Sequence, residues 1–202
     1  MYAGNPPKLN EYHIQMENDN DIAKMKRAVA WYNMIPSMIW SIINLVPISI
    51  FCYQQINPRL LYSLLAISLL TAFLPKSFFH KLQIGKTMKV YKRIGVNLIS
   101  RVTQNGEIIN RFIRKRFPHY KVVSSGKHSV NRLLQQTYMF EKFHFILFLF
   151  FTLVTIYALV KGFYGWTLIL LITNIIYNVY PCFLQQYIRL RLSVFQKKGL
   201  RE

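Results

Sequence analysis

Residues 143–160 read FHFILFLFFTLVTIYALV, eighteen positions without a Lys, Arg, Asp or Glu, bounded by Lys142 and Lys161. A bilayer core of ~30 Å takes about 20 predominantly apolar residues in a helix. The stretch therefore predicts a membrane span. Charge-free intervals also separate Arg27 from Arg59, Arg59 from Lys76, and Lys161 from Arg189. The resulting expectation is an all-α membrane protein with four transmembrane helices, near Trp31–Tyr53, Pro58–Pro75, Phe143–Val160 and Trp166–Tyr180. Leu60–Pro75 is short, at 16 residues, but Arg59 and Lys76 can snorkel to the interfaces. Pro36 and Pro47 are tolerated where neighbouring groups satisfy the freed carbonyls, and Asn57-Pro58 marks a tight turn.

Of 202 residues, 52% are hydrophobic, and the net charge is +19. On a soluble chain such a charge would suggest nucleic acid, but here its distribution points to topology. Residues 76–142 carry fifteen Lys/Arg against Glu107 and Glu141 alone. The N-terminal segment holds four more basic residues and the tail five, 24 of the 26 in all. The positive-inside rule places those segments in the cytoplasm. The chain divides into a cytoplasmic N-terminal segment (1–30), a transmembrane hairpin (31–75), a basic interfacial loop (76–142), a second hairpin (143–188) and a cytoplasmic tail (189–202). The polar residues before Arg27 do not resemble the basic start of a signal peptide. A short interfacial helix is expected near Ile22–Ala30. Cys52 and Cys182 fall at opposite ends of their spans, too far apart for a disulfide.

The basic loop is patterned. Met88, Tyr91, Ile94, Leu98, Ile99 and Val102 recur at helical spacing among Lys89, Lys92, Arg93 and Arg101, and Asn105-Gly106 ends that helix. Ile108, Ile109, Phe112, Ile113 and Phe117 form a second stripe among Arg111, Arg114, Lys115 and Arg116. Such faces suit helices lying in the membrane interface and binding its anionic lipids. Residues 117–126 read as a turn-rich break, and a helix from Ser129 continues into the third span.

Polar residues at membrane depth are costly to keep and mark candidate chemistry. Glu141 and His144 are three apart, so they share a helical face at the mouth of the third span. A carboxylate beside an imidazole can orient a general base, although an anchoring ion pair has the same pattern. In a regular helix Asn174, Asn178 and Gln185 fall within about 40° of one another, with Pro181 interrupting the helix on that face. They can line a cavity or act as interhelical glue. Five scattered histidines cannot build the histidine boxes of a di-iron desaturase. The chain has no C-x-x-C, P-loop, G-x-G-x-x-G or G-x-S-x-G.

Tyr91-Lys92-Arg93-Ile94-Gly95-Val96, then Glu141-x-x-His144, then Asn178-x-Tyr180-Pro181-Cys182-x-x-x-Gln185-Gln186-Tyr187-x-Arg189-x-Arg191 together resemble the glycosyl-4,4′-diaponeurosporenoate acyltransferases, small membrane proteins of the pathway to staphyloxanthin. Gln186 and Ile188 stand where the family pattern carries Arg and Asn. The resemblance implies transfer of a fatty acyl group to a sugar hydroxyl of a glycosylated isoprenoid lipid at a bacterial cytoplasmic membrane. Partners would be membrane lipids, an acyl donor as co-substrate and the lipid-linked acceptor, with no cofactor or metal and no nucleic acid. On this reading His144 takes the acceptor's proton and Glu141 orients it. Asn174, Asn178, Tyr180, Gln185, Gln186 and Tyr187 contact substrate, and Arg189 and Arg191 hold an anionic donor. The competing reading is a membrane scaffold whose basic loop binds anionic lipid or a protein partner.

Overall fold

The computed structural model describes residues 9–96, 107–117 and 127–198, which form helices joined by short connections, without a strand. Helix α1 (Leu9–Gln55) runs unbroken through Pro36 and Pro47. The interfacial segment expected near Ile22–Ala30 is thus part of one long helix. Helix α2 (Pro58–Leu70) starts with proline in its first turn, behind an Asn57 cap whose side chain accepts the Arg59 N–H at 2.9 Å. A 3₁₀ turn, Thr71–Phe73, closes it. The short helices α3 (Lys76–Lys81), α4 (Met88–Arg93) and α5 (Glu107–Arg116) follow. Helix α6 (Lys127–Val160) carries the expected third span and its basic approach as one rod. The last rod comprises α7 (Tyr164–Asn174), a π-helical turn (Ile175–Val179) and α8 (Tyr180–Lys198). The helix expected from Met88 to Asn105-Gly106 is interrupted: α4 ends at Arg93 and the chain turns at Gly95, where φ is +81°. Its part beyond Val96 and most of the 117–126 break lie outside the described residues.

Three helical segments are long and apolar enough to cross a membrane: Asn20–Gln55, Val130–Val160 and Tyr164–Val194. The fourth expected span is the shorter apolar helix Pro58–Phe73, about 26 Å long at the rises of α and 3₁₀ helix. Lys142 on α6 donates to the Ala72 carbonyl at its end, at 2.7 Å, so a cation satisfies backbone that the short helix leaves open.

The packing is apolar outside and aromatic within. Trp31, Ile42, Ile43, Leu70, Val160 and Leu168 are exposed, as lipid contact permits. Inside, the Phe51 ring meets Tyr157, Phe163 and Trp166 at centroid distances of 6.4, 5.8 and 5.6 Å. Between α6 and α7 the chain reverses at Gly162, where φ is +78°. Gly162 N–H bonds to the Leu159 carbonyl and Phe163 N–H to that of Ala158, a Schellman closure that favours glycine. Cys52 and Cys182 are free and buried.

Candidate functional site

Two polar centres occupy the contact between α6 and the final rod. The first is built on Glu141, fully buried on α6. One carboxylate oxygen accepts from Gln186 Nε2 at 2.7 Å and the other from Arg189 Nη1 at 2.5 Å. Gln186 Oε1 in turn accepts from the Tyr91 hydroxyl at 3.0 Å and the Ile84 N–H at 3.4 Å. Burial pushes the Tyr91 phenol above its ordinary range, which keeps it a donor. The Arg189 guanidinium lies 4.2 Å from the Tyr138 ring, a cation–π contact. Tyr138 Oη meets His80 Nε2 at 2.5 Å. This centre ties α3, α4 and the loop between them to the two long rods.

The second centre surrounds His144. Its ring is 5.7 Å from that of Tyr177 at 84°, and the Tyr177 hydroxyl donates to Ser41 on α1 at 3.0 Å. Asn178 donates to Asn174 at 2.9 Å, and Asn174 to Thr152 at 3.1 Å and to the Phe148 carbonyl at 3.3 Å. Two buried atoms here have no hydrogen-bond partner among the described residues: His144 Nδ1 and Asn178 Oδ1.

The π-helical turn explains this geometry. Pro181 has no N–H, and in an α-helix its ring would strike the carbonyl four residues back, that of Tyr177. The chain widens instead, and Tyr180 N–H bonds to Ile175, five residues back. The Tyr177 carbonyl thereby lacks the N–H four residues on that a regular helix would give it. Single π turns inside α-helices recur at functional sites.

Three sequence expectations change here. Glu141 does not orient His144: both its oxygens are taken by Gln186 and Arg189. Three residues of helix leave the two side chains about 60° apart, enough to give them different neighbours. Gln185 is half-buried and Gln186 takes the inward position, because the wide turn absorbs one extra residue and shifts the register beyond it. Arg189 and Arg191 do not form a clamp. Two residues of helix separate them by about 200°, and Arg191 is exposed while Arg189 is buried on Glu141. Tyr187 packs on the Tyr91 ring at 6.3 Å, and Tyr180 donates to the Ile94 carbonyl at 3.3 Å. Both therefore join the structural core around the first centre.

A family model described as glycosyl-4,4′-diaponeurosporenoate acyltransferase matches residues 75–198, more than half of the chain. The chain belongs to this family. No curated protein and no solved structure gives a significant match. The matched segment contains both polar centres except Ser41, whereas α1 and α2 lie outside it. Sequence reasoning passed over Ser41, Thr152, His80 and Tyr138. Tyr138 had a signal, one helical turn before Glu141; the other three become polar partners only through tertiary contact. Among the described residues no three His, Cys, Asp or Glu side chains gather into a metal-binding group.

Proposed function

We propose that the protein is a membrane-embedded acyltransferase that moves a fatty acyl group to a sugar hydroxyl of a glycosylated isoprenoid lipid, with His144 as its general base. The observation that carries this reading is the pair of buried, unpartnered acceptors, His144 Nδ1 and Asn178 Oδ1. Such orphans are costly unless something completes them, and an acceptor hydroxyl supplies the missing donor. With the proton on the other ring nitrogen, Nδ1 keeps its lone pair. The hydroxyl donates to that nitrogen and its oxygen attacks the acyl carbon. The imidazolium then has Asn178 Oδ1 within its surroundings as an acceptor. Asn174, held by Thr152, fixes the Asn178 amide. Glu141, Gln186 and Arg189 set the position of the final rod and do not touch the reacting atoms.

The topology that accompanies this reading has four spans, with both ends and the basic loop in the cytoplasm, supported by the 24 basic residues gathered in those segments. The test is product formation in cells that make the glycosylated carotenoid carboxylate, followed by mass spectrometry of lipid extracts. His144→Gln keeps hydrogen bonding but loses the basic nitrogen. It should lower acylated product by about two to four orders of magnitude at unchanged membrane abundance. Full activity in His144→Gln would remove the base.

A further inference from the structure

An open groove with about 900 Å³ of space runs between α1 and α6. The two helices run parallel. Ser41 on α1 meets Tyr177 beside His144, and Gln55 accepts the Tyr157 hydroxyl at 3.0 Å. Fourteen residues along α1 thus match thirteen along α6. The same offset sets Lys26 level with the Arg132 turn, so the groove has two cations at one end. Ser41 lines the other end and touches the His144 centre through Tyr177. Met34, Met38 and Phe140 line the length between, with the polar Gln136 among them.

We propose that this groove holds the acyl donor, and that the donor is a long-armed, phosphate-bearing acyl thioester of the coenzyme A type. The inference rests on the acyltransferase reading above. Its phosphates meet Lys26 and Arg132, its arm lies along the methionines, and its thioester carbonyl reaches the Ser41–Tyr177 end beside His144. Length selects this class. Arg132 and His144 are twelve residues apart on α6, about 18 Å along the axis. An extended phosphopantetheine arm has the backbone length of about five peptide residues, roughly 17 Å. A diacyl phospholipid carries its ester carbonyls only a few bonds from its phosphate. With that phosphate on Arg132, its carbonyls stop well short of His144. In the transfer the acceptor oxygen bonds to the acyl carbon and the C–S bond breaks. The hydroxyl proton, taken by His144, passes to the departing thiolate. Lys26 and the methionines of α1 lie outside the family-matched residues, whereas Arg132, Gln136 and Phe140 lie within them, so donor binding is shared between the family segment and a helix that precedes it.

The full chain in neutral-lipid nanodiscs is titrated with the non-hydrolysable thioether analogue of palmitoyl-coenzyme A. The charge reversal Lys26→Glu/Arg132→Glu should weaken binding by roughly tenfold or more, the size expected for lost charge-assisted contacts. Lys26→Gln/Arg132→Gln should lie between, and Arg59→Glu, just past the far end of α1 and away from the lining residues, should match wild type. The phosphate-free S-palmityl-N-acetylcysteamine should bind far more weakly than the full analogue, and phosphatidylglycerol in the discs should not displace the analogue. The proposal is overturned by no binding to wild type, by equal binding to the charge-reversed variant, or by displacement with phosphatidylglycerol. No turnover is required, so any of these results leaves the acyltransferase reading to its own product assay.

Discussion

Glu141→Gln should destabilise the protein far more than the loss of a surface charge would. Two donors, Gln186 Nε2 and Arg189 Nη1, converge on the two carboxylate oxygens. A glutamine offers one oxygen and one NH₂, so one donor must face another. Gln186 cannot turn over to relieve this, because its own oxygen accepts from Tyr91 and Ile84. Arg189, with only 5% of its side chain exposed, becomes a buried cation without its anion. Breaking such a pair from one side costs about 3–5 kcal/mol, a large share of the ~5–15 kcal/mol that holds a domain together. Thermal unfolding in nanodiscs and membrane abundance both read the loss. Glu141→Gln/Arg189→Met should recover most of it, since the charge is gone and methionine still packs on Tyr138. It should also retain acyl transfer, because neither residue acts on the substrate. Wild-type stability in Glu141→Gln, or failure of the double variant to recover, would refute this account of the centre.

Tyr91→Phe removes a buried donor to Gln186 and should cost about 1–3 kcal/mol in the same unfolding assay, with acylation per folded molecule unchanged. For topology, a reporter inserted at Gly162 should be exported, while one fused after Glu202 should remain cytoplasmic. The reverse pattern would invert the proposed orientation.

Much of the helical architecture was legible because lipid imposes a length and forbids charge. Phe143–Val160 could be read that way directly, as could the helix entering it from Ser129. Fusion of the Ile22–Ala30 segment with the first span into one helix was not legible, since a charge-free interval marks where a span can begin without stating where the helix does. The short second helix differs for a related reason: a charge-free interval measures composition, and only the fold shows where the 3₁₀ turn ends it. Within the site, His144, Asn174 and Asn178 stood out as polar groups at apolar depth. Their division from Glu141 did not, because a shared helical face still spans tens of degrees and the neighbours decide which way each residue is satisfied. Ser41 lies more than a hundred residues from Tyr177, a contact no local pattern encodes.

The π turn has a consequence for how this chain can change length. Past Val179, each side chain keeps its direction because the wide turn takes up one surplus residue. Removing one residue of Ile175–Val179 would let the turn close to ordinary α pitch, and Gln186 would then hold the inward place that a regular helix gives to the residue eleven after Asn174, still facing Glu141. The cost would be the clash of Pro181 with a carbonyl one turn back. A deletion between Pro181 and Gln185 has no wide turn to absorb it, and would swing Gln186 and Arg189 by about 100° off the Glu141 carboxylate. The rod can therefore give up a residue at one level and not at the next.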